Sequence, residues 1–421
     1  MAAHCHVALG RTLTNNDDRR SATLNPRLGG LKCMRANRHH YAPKSLDSCR
    51  AKPERETQPE GAPDNPPSAR RCRPNRSESA DHAASARPRE YGGFKLFLGN
   101  TTGNLPCPND GAVFEGLEIL ARLGLRCSVH AENSPILFWR QKRLQGAGRN
   151  DPLAHLAART DIVAIEALTR IATLADWTGA RIHIVHESCA GSLPFIRFFK
   201  DRGTDITVET LPQYLTLAAE EMTSSKGALM RMNPPIRQRA HQAPLLAGLI
   251  DGTIDMLATD HAPHAPEEKV AASIWDVACG FCGVQTSLPL MLTTVAEGRI
   301  SPATLVRAMC GAPARAFGLW GRKGVLRVGA EADVVLVDPA ARRVLRAADL
   351  ASRGNVTPYE GTKVTGWPLR TLVRGRTVAL DGKVVAPAGS GQMVRVEMSP
   401  PAARNTATTL AAQVRPCARP W

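Results

Sequence analysis

Apolar residues are very unevenly distributed along this chain of 421 residues. Between residues 47 and 90 there is no Val, Ile, Leu, Met, Phe, Trp or Tyr, and Arg, Pro, Ser, Glu and Ala dominate. Such a segment has no apolar surface whose burial could offset the entropy cost of ordering it. Residues 1–46 also contain too few apolar positions to show a helical or strand period. We therefore expect 1–90 to be a disordered or degenerate basic segment. A shifted reading frame or a degraded gene would explain the same composition.

The pattern changes at Tyr91, where short apolar runs begin to alternate with helical periodicity. The predicted strands are 93–98, 125–130, 181–186, 205–209 and 254–259, and the predicted helices are 113–123, 160–178, 192–201 and 240–250. Strands that alternate with helices in this way indicate a parallel sheet covered by helices. Since no Gly-rich phosphate loop follows any strand, a (β/α)8 TIM-type barrel over 91–318 is favoured over a doubly wound sheet.

A different pattern begins near residue 320. Short β-like runs, such as 334–337, 371–373 and 377–380, are separated by Gly, Asp and Pro. This arrangement predicts a small β-domain at 319–386, followed by a tail at 387–421. The fold class is therefore α/β, a barrel with apparently missing or degenerate N-terminal strands and a small C-terminal β-domain.

Composition narrows the classes of function. The net charge of +16 sits largely in the two ends of the chain, and no recognition helix or RNA-binding motif accompanies it, so no nucleic-acid partner is expected. No apolar run is long enough for a membrane span, and the first residues lack the apolar segment of a secretory signal. Eleven cysteines without regular spacing suggest reduced thiols, and hence a cytoplasmic protein.

Four polar residues lie within predicted strands or at their C-terminal ends, where barrel enzymes place their chemistry: Lys95, His130, His186 and Asp260. Each alone has an ordinary structural explanation. The histidines could be hydrogen-bonded core residues, Asp260 a helix cap, and Lys95 one half of an ion pair. Together they predict a zinc site, because imidazole and carboxylate are ligands that suit zinc. A neutral lysine amine can also take up CO2, and the resulting carbamate can bridge two metals.

Several ordered motifs resemble the cyclic-amide branch of the amidohydrolase superfamily. The similarity covers about residues 92–386, and within the branch the chain most resembles dihydroorotases, with allantoinases and dihydropyrimidinases as relatives. The motifs that carry it are Gly93–Gly103, Val129–Asn133, Ile184–Ser188, Met232–Arg237, Thr259–His264, Glu267–Lys269, Gly283–Thr286, Thr357–Gly361 and Gly366–Pro368.

The resemblance implies a binuclear zinc site. In this family Lys95 would be the carboxylated lysine that bridges the metals, and His130 and His186 would bind one of them. Asp260 would bind the other metal and act as the general acid–base, moving a proton to the leaving amide nitrogen.

The resemblance also implies a substrate site and a reaction. Asn233 and His264 match residues that hold the cyclic substrate, and Cys279 and Gly280 match a backbone segment that hydrogen-bonds its ring. The expected reaction is hydrolysis of dihydroorotate to N-carbamoyl-aspartate in pyrimidine biosynthesis, by a homo-oligomer. The alternatives are an allantoinase or hydantoinase type of hydrolase, and a catalytically silent dihydroorotase-like scaffold.

One family motif has no clear counterpart. Family members carry His-x-His-Phe-Arg early in the chain, where the histidines bind the first metal and the Arg clamps the substrate carboxylate. Here His4 and His6 form a His-x-His that is followed by Val7-Ala8-Leu9. We leave open whether His4 and His6 are ligands. Without them the chain is expected to bind at most one metal tightly and to hydrolyse dihydroorotate very poorly.

Overall fold

The structure is a computed structural model that describes residues 94–99, 107–224, 226–352, 354–387, 390–392 and 394. The expectations for 1–90, for His4 and His6 and for most of the C-terminal tail fall outside these ranges.

A five-stranded parallel sheet forms the centre of the larger part. Its strands are β1 (Phe94–Phe97), β2 (Arg126–His130), β3 (Arg181–Ile184), β4 (Ile206–Thr210) and β5 (Met256–Leu257), and they are neighbours in sequence order. All four strand pairs are parallel. Sequential order without a switch point is the arrangement of a barrel wall rather than of a doubly wound sheet. Within the described ranges the sheet does not close, so the barrel prediction is met only in part.

Helices connect these strands and continue after the last one. They are α1 (Asp110–Leu123), α2 (Ser134–Gly146), α3 (Pro152–Ala158), α4 (Asp161–Thr178), α5 (Leu193–Asp201), α6 (Pro212–Thr216), α7 (Gln242–Asp251), α8 (Val284–Ala296), α9 (Pro302–Val306) and α10 (Ala312–Ala316). Helix α1 begins where the Asn109 side chain accepts the Ala112 N–H at 2.9 Å. It ends at Gly124, whose φ of 64° is the left-handed conformation that glycine adopts without strain. No described helix combines the length and the apolar character needed to cross a membrane.

The main core lies between the sheet and its helices. Val129, Ile182 and Val208, from three adjacent strands, are completely buried. Leu168 and Ile171 of α4 belong to the same core cluster. Every residue of β2 is buried, including the polar Arg126, Ser128 and His130 that alternate with Cys127 and Val129.

A second, antiparallel sheet lies in the C-terminal part. Its strands are β6 (Val334–Val344), β7 (Lys363–Val373), β8 (Arg376–Leu380) and β9 (Lys383–Val384), in that order. Strand β7 packs against α8, and a Cβ atom on Gly366 would come within 2.7 Å of the Leu292 Cβ. This sheet therefore packs directly on the helix that follows the loop bearing Asp260.

Candidate active site

Three of the predicted site residues lie at one edge of the parallel sheet. His130 is the last residue of β2, while His186 and Asp260 come shortly after β3 and β5. His186 has a φ of 46° and Asp260 a φ of 42°, and they are two of only four non-glycine residues with positive φ among the residues described. Such backbone strain is concentrated at functional sites, because the surrounding structure must hold it in place.

His130 and His186 meet ring to ring. The His130 Nδ1 atom lies 3.1 Å from the His186 Nε2 atom, and the ring centroids are 4.7 Å apart at an interplanar angle of 71°. Both side chains are almost fully buried. Two imidazole nitrogens that bind one tetrahedral zinc at about 2.0–2.1 Å lie about 3.3 Å apart. The spacing of this pair therefore fits a single shared metal ion.

Glu132 holds the His130 ring in one orientation. Its Oε2 atom lies 2.8 Å from the His130 Nε2 atom and also forms an ion pair with Arg159. Burial alone would raise the pKa of Glu132, but Arg159 and the His130 bond outweigh it and hold the pKa below its usual value. An ionised carboxylate only accepts hydrogen bonds, so the His130 Nε2 atom carries the proton and its Nδ1 lone pair faces His186. Metal-binding histidines are commonly held in this way.

Glu209 supports the neighbouring strand end. This fully buried residue of β4 accepts the backbone N–H of His186 at 3.3 Å through Oε1. Its Oε2 atom lies 3.0 Å from the Nε2 atom of His183. The carboxylate therefore connects β3 with β4 directly beneath the turn on which His186 sits.

Lys95 lies close enough to the carboxylates of Asp260 and Glu209 for their charges to affect it. It is a half-buried residue of β1, and its Nζ atom lies 5.2 Å from the centre of the Phe97 ring. Burial lowers the pKa of Lys95 from 10.5 to about 8, against the opposing influence of Asp260 and Glu209. Since a carbamate forms from the neutral amine, this environment fits the predicted chemistry better than that of an exposed lysine.

The candidate substrate residues form two contacts. The His264 Nε2 atom lies 3.0 Å from the Cys279 carbonyl oxygen, so the structure brings these two together. Asn233 instead contacts His155, whose Nε2 atom lies 2.9 Å from the Asn233 Oδ1 atom. Burial lowers the pKa of His155 well below its usual value, so this imidazole is neutral and can hold the Asn233 side chain in one orientation.

Sequence reasoning missed the residues that support the site. Glu132 and Glu209 could have been suspected, because each follows the same strand-end pattern as the histidines. His155 and Arg159 lie in or just after α3 and carry no local signal in the sequence.

A second group of potential ligands does not suit a metal. One donor atom each of Asp161, Cys189 and His241 lies within 4.8 Å of the others. However, the His241 Nδ1 atom accepts the Ala190 N–H at 3.1 Å, so the proton of the neutral ring is on Nε2, facing Asp161. The Arg237 Nη1 atom already donates to the Asp161 Oδ1 atom at 2.8 Å. Burial raises the pKa of the Cys189 thiol to about 12. These protonation states oppose metal binding.

Comparison with known proteins identifies the family. The sequence profile of the Amidohydrolase family matches residues 111–378. The chain belongs to this family. It is 34% identical over 306 residues to the L-hydantoinase of Paenarthrobacter aurescens, covering 72% of this chain and 67% of that one. It is 36% identical over 304 residues to the allantoinase of Rubrobacter xylanophilus, covering 72% of this chain and 66% of that one. The chain thus spans about two thirds of the length of these relatives.

Solved structures agree with this assignment. The L-hydantoinase (dihydropyrimidinase) from Arthrobacter aurescens has a TM-score of 0.70 at 33% identity, covering 75% of this chain and 70% of that one. The dihydropyrimidinase from Brevibacillus agri NCHU1002 has a TM-score of 0.72 at 26% identity, covering 78% and 72%. The predicted membership in the cyclic-amide branch is confirmed. These relatives are named hydantoinase, allantoinase and dihydropyrimidinase. They therefore support the alternative of an allantoinase or hydantoinase type of hydrolase better than dihydroorotate hydrolysis.

Proposed function

We propose that this chain is a zinc-dependent hydrolase that opens the ring of hydantoin-type cyclic diamides. The observation that carries the proposal is the buried pair His130 and His186, with Glu132 holding the first imidazole in the form that can bind a metal. The relatives named L-hydantoinase and allantoinase support the substrate class, because allantoin is itself a substituted hydantoin. A hydantoin ring carries no carboxylate, so it does not need the Arg for which the sequence shows no clear counterpart.

The residues at the strand ends fit a metal site. His130 and His186 would hold zinc, and a carbamate on Lys95 would add an oxygen ligand. Three protein ligands with one open position are typical of catalytic zinc. A zinc ion supplies Lewis acidity that polarises the amide carbonyl.

Asp260 would move the proton in this reaction. The oxygen of a water molecule adds to the ring carbonyl carbon, the ring C–N bond breaks, and the nitrogen must gain a proton to leave. Asp260 would take a proton from the water and deliver it to that nitrogen, which gives an N-carbamoyl amino acid. Asp260 lies on the turn after β5, in a left-handed backbone conformation.

The test is a turnover assay of the purified chain with zinc and bicarbonate. The substrates are hydantoin, allantoin, dihydrouracil and dihydroorotate, and the N-carbamoyl product is measured. We expect kcat/KM for a hydantoin ring to exceed that for dihydroorotate at least about tenfold, a difference of about 1.4 kcal/mol. Asp260→Asn should lower kcat by about 10²-fold or more, as expected for loss of a general acid–base.

Two outcomes would contradict the proposal. Preferred hydrolysis of dihydroorotate would show that dihydroorotate, as expected from the sequence, is the substrate. A chain that binds zinc at His130 and His186 but hydrolyses none of the four compounds would favour the silent-scaffold alternative.

A further inference from the structure

Lys269 is a buried lysine. Within the described residues, its ammonium donates hydrogen bonds to backbone carbonyl oxygens. It is the last residue of the short 3-10 turn Pro266–Lys269, and only 1% of its surface is exposed. Its Nζ atom donates to the carbonyl oxygens of Arg231 at 3.2 Å, Ala278 at 2.7 Å and Gly280 at 2.9 Å. An ammonium has three N–H donors, so these three acceptors satisfy it completely.

The three carbonyls belong to the two segments that carry the candidate substrate residues. Arg231 lies two residues before Asn233, whereas Ala278 and Gly280 flank Cys279. The Arg231 carbonyl also accepts the Gly280 N–H at 2.8 Å. One ammonium therefore joins both segments at the point where they touch.

Stability alone does not explain a charge at this position. Burial lowers the pKa of Lys269 from 10.5 to about 7, so the folded protein disfavours the ammonium relative to water. The charged and titratable groups that influence it are Cys279, Arg231, Cys282 and Glu268, with His264 and His155 on the adjacent loop and helix. A methionine could fill the same volume without that cost.

We propose that Lys269 is a positioning residue whose ammonium fixes backbone 278–280 against Arg231, and thereby sets how both segments meet the cyclic substrate. The inference rests on the proposed function and deepens it. A neutral amine has two donors and a lone pair, so deprotonation leaves one carbonyl without its bond. Substrate binding should therefore weaken as the pH rises through the pKa of Lys269.

The test compares Lys269→Met with Lys323→Met. Lys323 is a second buried lysine, 4% exposed, but it pairs with Glu331 and Asp333 near the antiparallel sheet. We expect Lys269→Met to raise KM for hydantoin at least about tenfold near pH 6, with kcat within about threefold, which corresponds to the loss of charged hydrogen bonds. Wild-type KM should rise between about pH 6 and pH 8, whereas KM of the variant should stay flat. The zinc content of Lys269→Met should match the wild type. For Lys323→Met, KM, its pH dependence and the zinc content should all match the wild type.

Amide hydrogen exchange provides a readout that does not need turnover. The Gly280 amide, which donates to Arg231, should exchange faster in Lys269→Met and at the wild-type rate in Lys323→Met. In the wild-type protein its protection factor should fall between about pH 6 and pH 8, a measurement that holds even if the variant does not fold. Unchanged Gly280 protection in Lys269→Met, or at the higher pH, would overturn the inference. Faster exchange with an unchanged KM would also overturn it, whereas absence of all turnover would defeat only the proposed function.

Discussion

Replacing Glu132 with Gln tests how far the proposed zinc site depends on the carboxylate that contacts His130. The change keeps the size of the side chain but removes the charge that both His130 and Arg159 contact. Glu132 is fully buried and the Arg159 side chain is 7% exposed, so the guanidinium would lose the Glu132 carboxylate from a buried ion pair. Breaking such a pair costs about 3–5 kcal/mol. Loss of the group that orients a metal-binding histidine lowers metal affinity about 10–100-fold.

Two measurements separate these effects. Urea unfolding gives the loss of stability, and competition with a zinc chelator gives the loss of affinity. Asp205→Asn is the matched control, because Asp205 pairs with the buried Arg126 at 2.8 Å just before β4, away from the strand ends that bear the histidines. It should be destabilised as well, yet bind zinc as tightly as the wild type. Equal zinc affinity in Glu132→Gln and Asp205→Asn would refute the reasoning.

Three further changes are predicted. His155→Leu removes the hydrogen bond that orients Asn233, so KM for hydantoin should rise about tenfold while zinc content stays constant. An unchanged KM in steady-state kinetics would show that Asn233 does not take part in substrate binding. Gly280→Ala places a Cβ atom 2.5 Å from the Ala262 Cβ at a φ of 111°, and should cost about 1–3 kcal/mol in urea unfolding. Because Lys269 has its pKa lowered from 10.5 to about 7, the folded state binds fewer protons between these values. The free energy of unfolding should therefore rise with pH across this window, and a series of urea unfolding curves should show a shallower rise for Lys269→Met.

Much of the sheet could be predicted from local sequence. The run 94–98 is mostly apolar, and Phe94, Leu96 and Leu98 pack into the main core. Helix α2 could not be predicted, since Leu137 is buried while Phe138 and Trp139 are 46% and 57% exposed, so its apolar residues do not mark one helical face. Whether the sheet closes depends on contacts distant in sequence, which local periodicity does not contain.

The sequence could indicate candidate site residues but not the residues that contact them. His130, His186 and Asp260 could be singled out as candidates because each lies at the end of a predicted strand. The partners that fix them come from elsewhere in the chain: Arg159 reaches Glu132 from 27 positions away, and Lys269 joins segments that no local pattern connects. The carbamate, the assembly into a homo-oligomer and the cytoplasmic location stay predictions.

The central claim is that His130 and His186 share one zinc ion, and zinc content per chain tests it most directly. After zinc loading and gel filtration, elemental analysis should find roughly one zinc per wild-type chain, as expected for one set of three protein ligands. His130→Ala and His186→Ala should each reduce the content to near zero, while His155→Leu should retain it. Zinc that stays bound in both alanine variants, or a wild-type chain that binds none, would contradict the account.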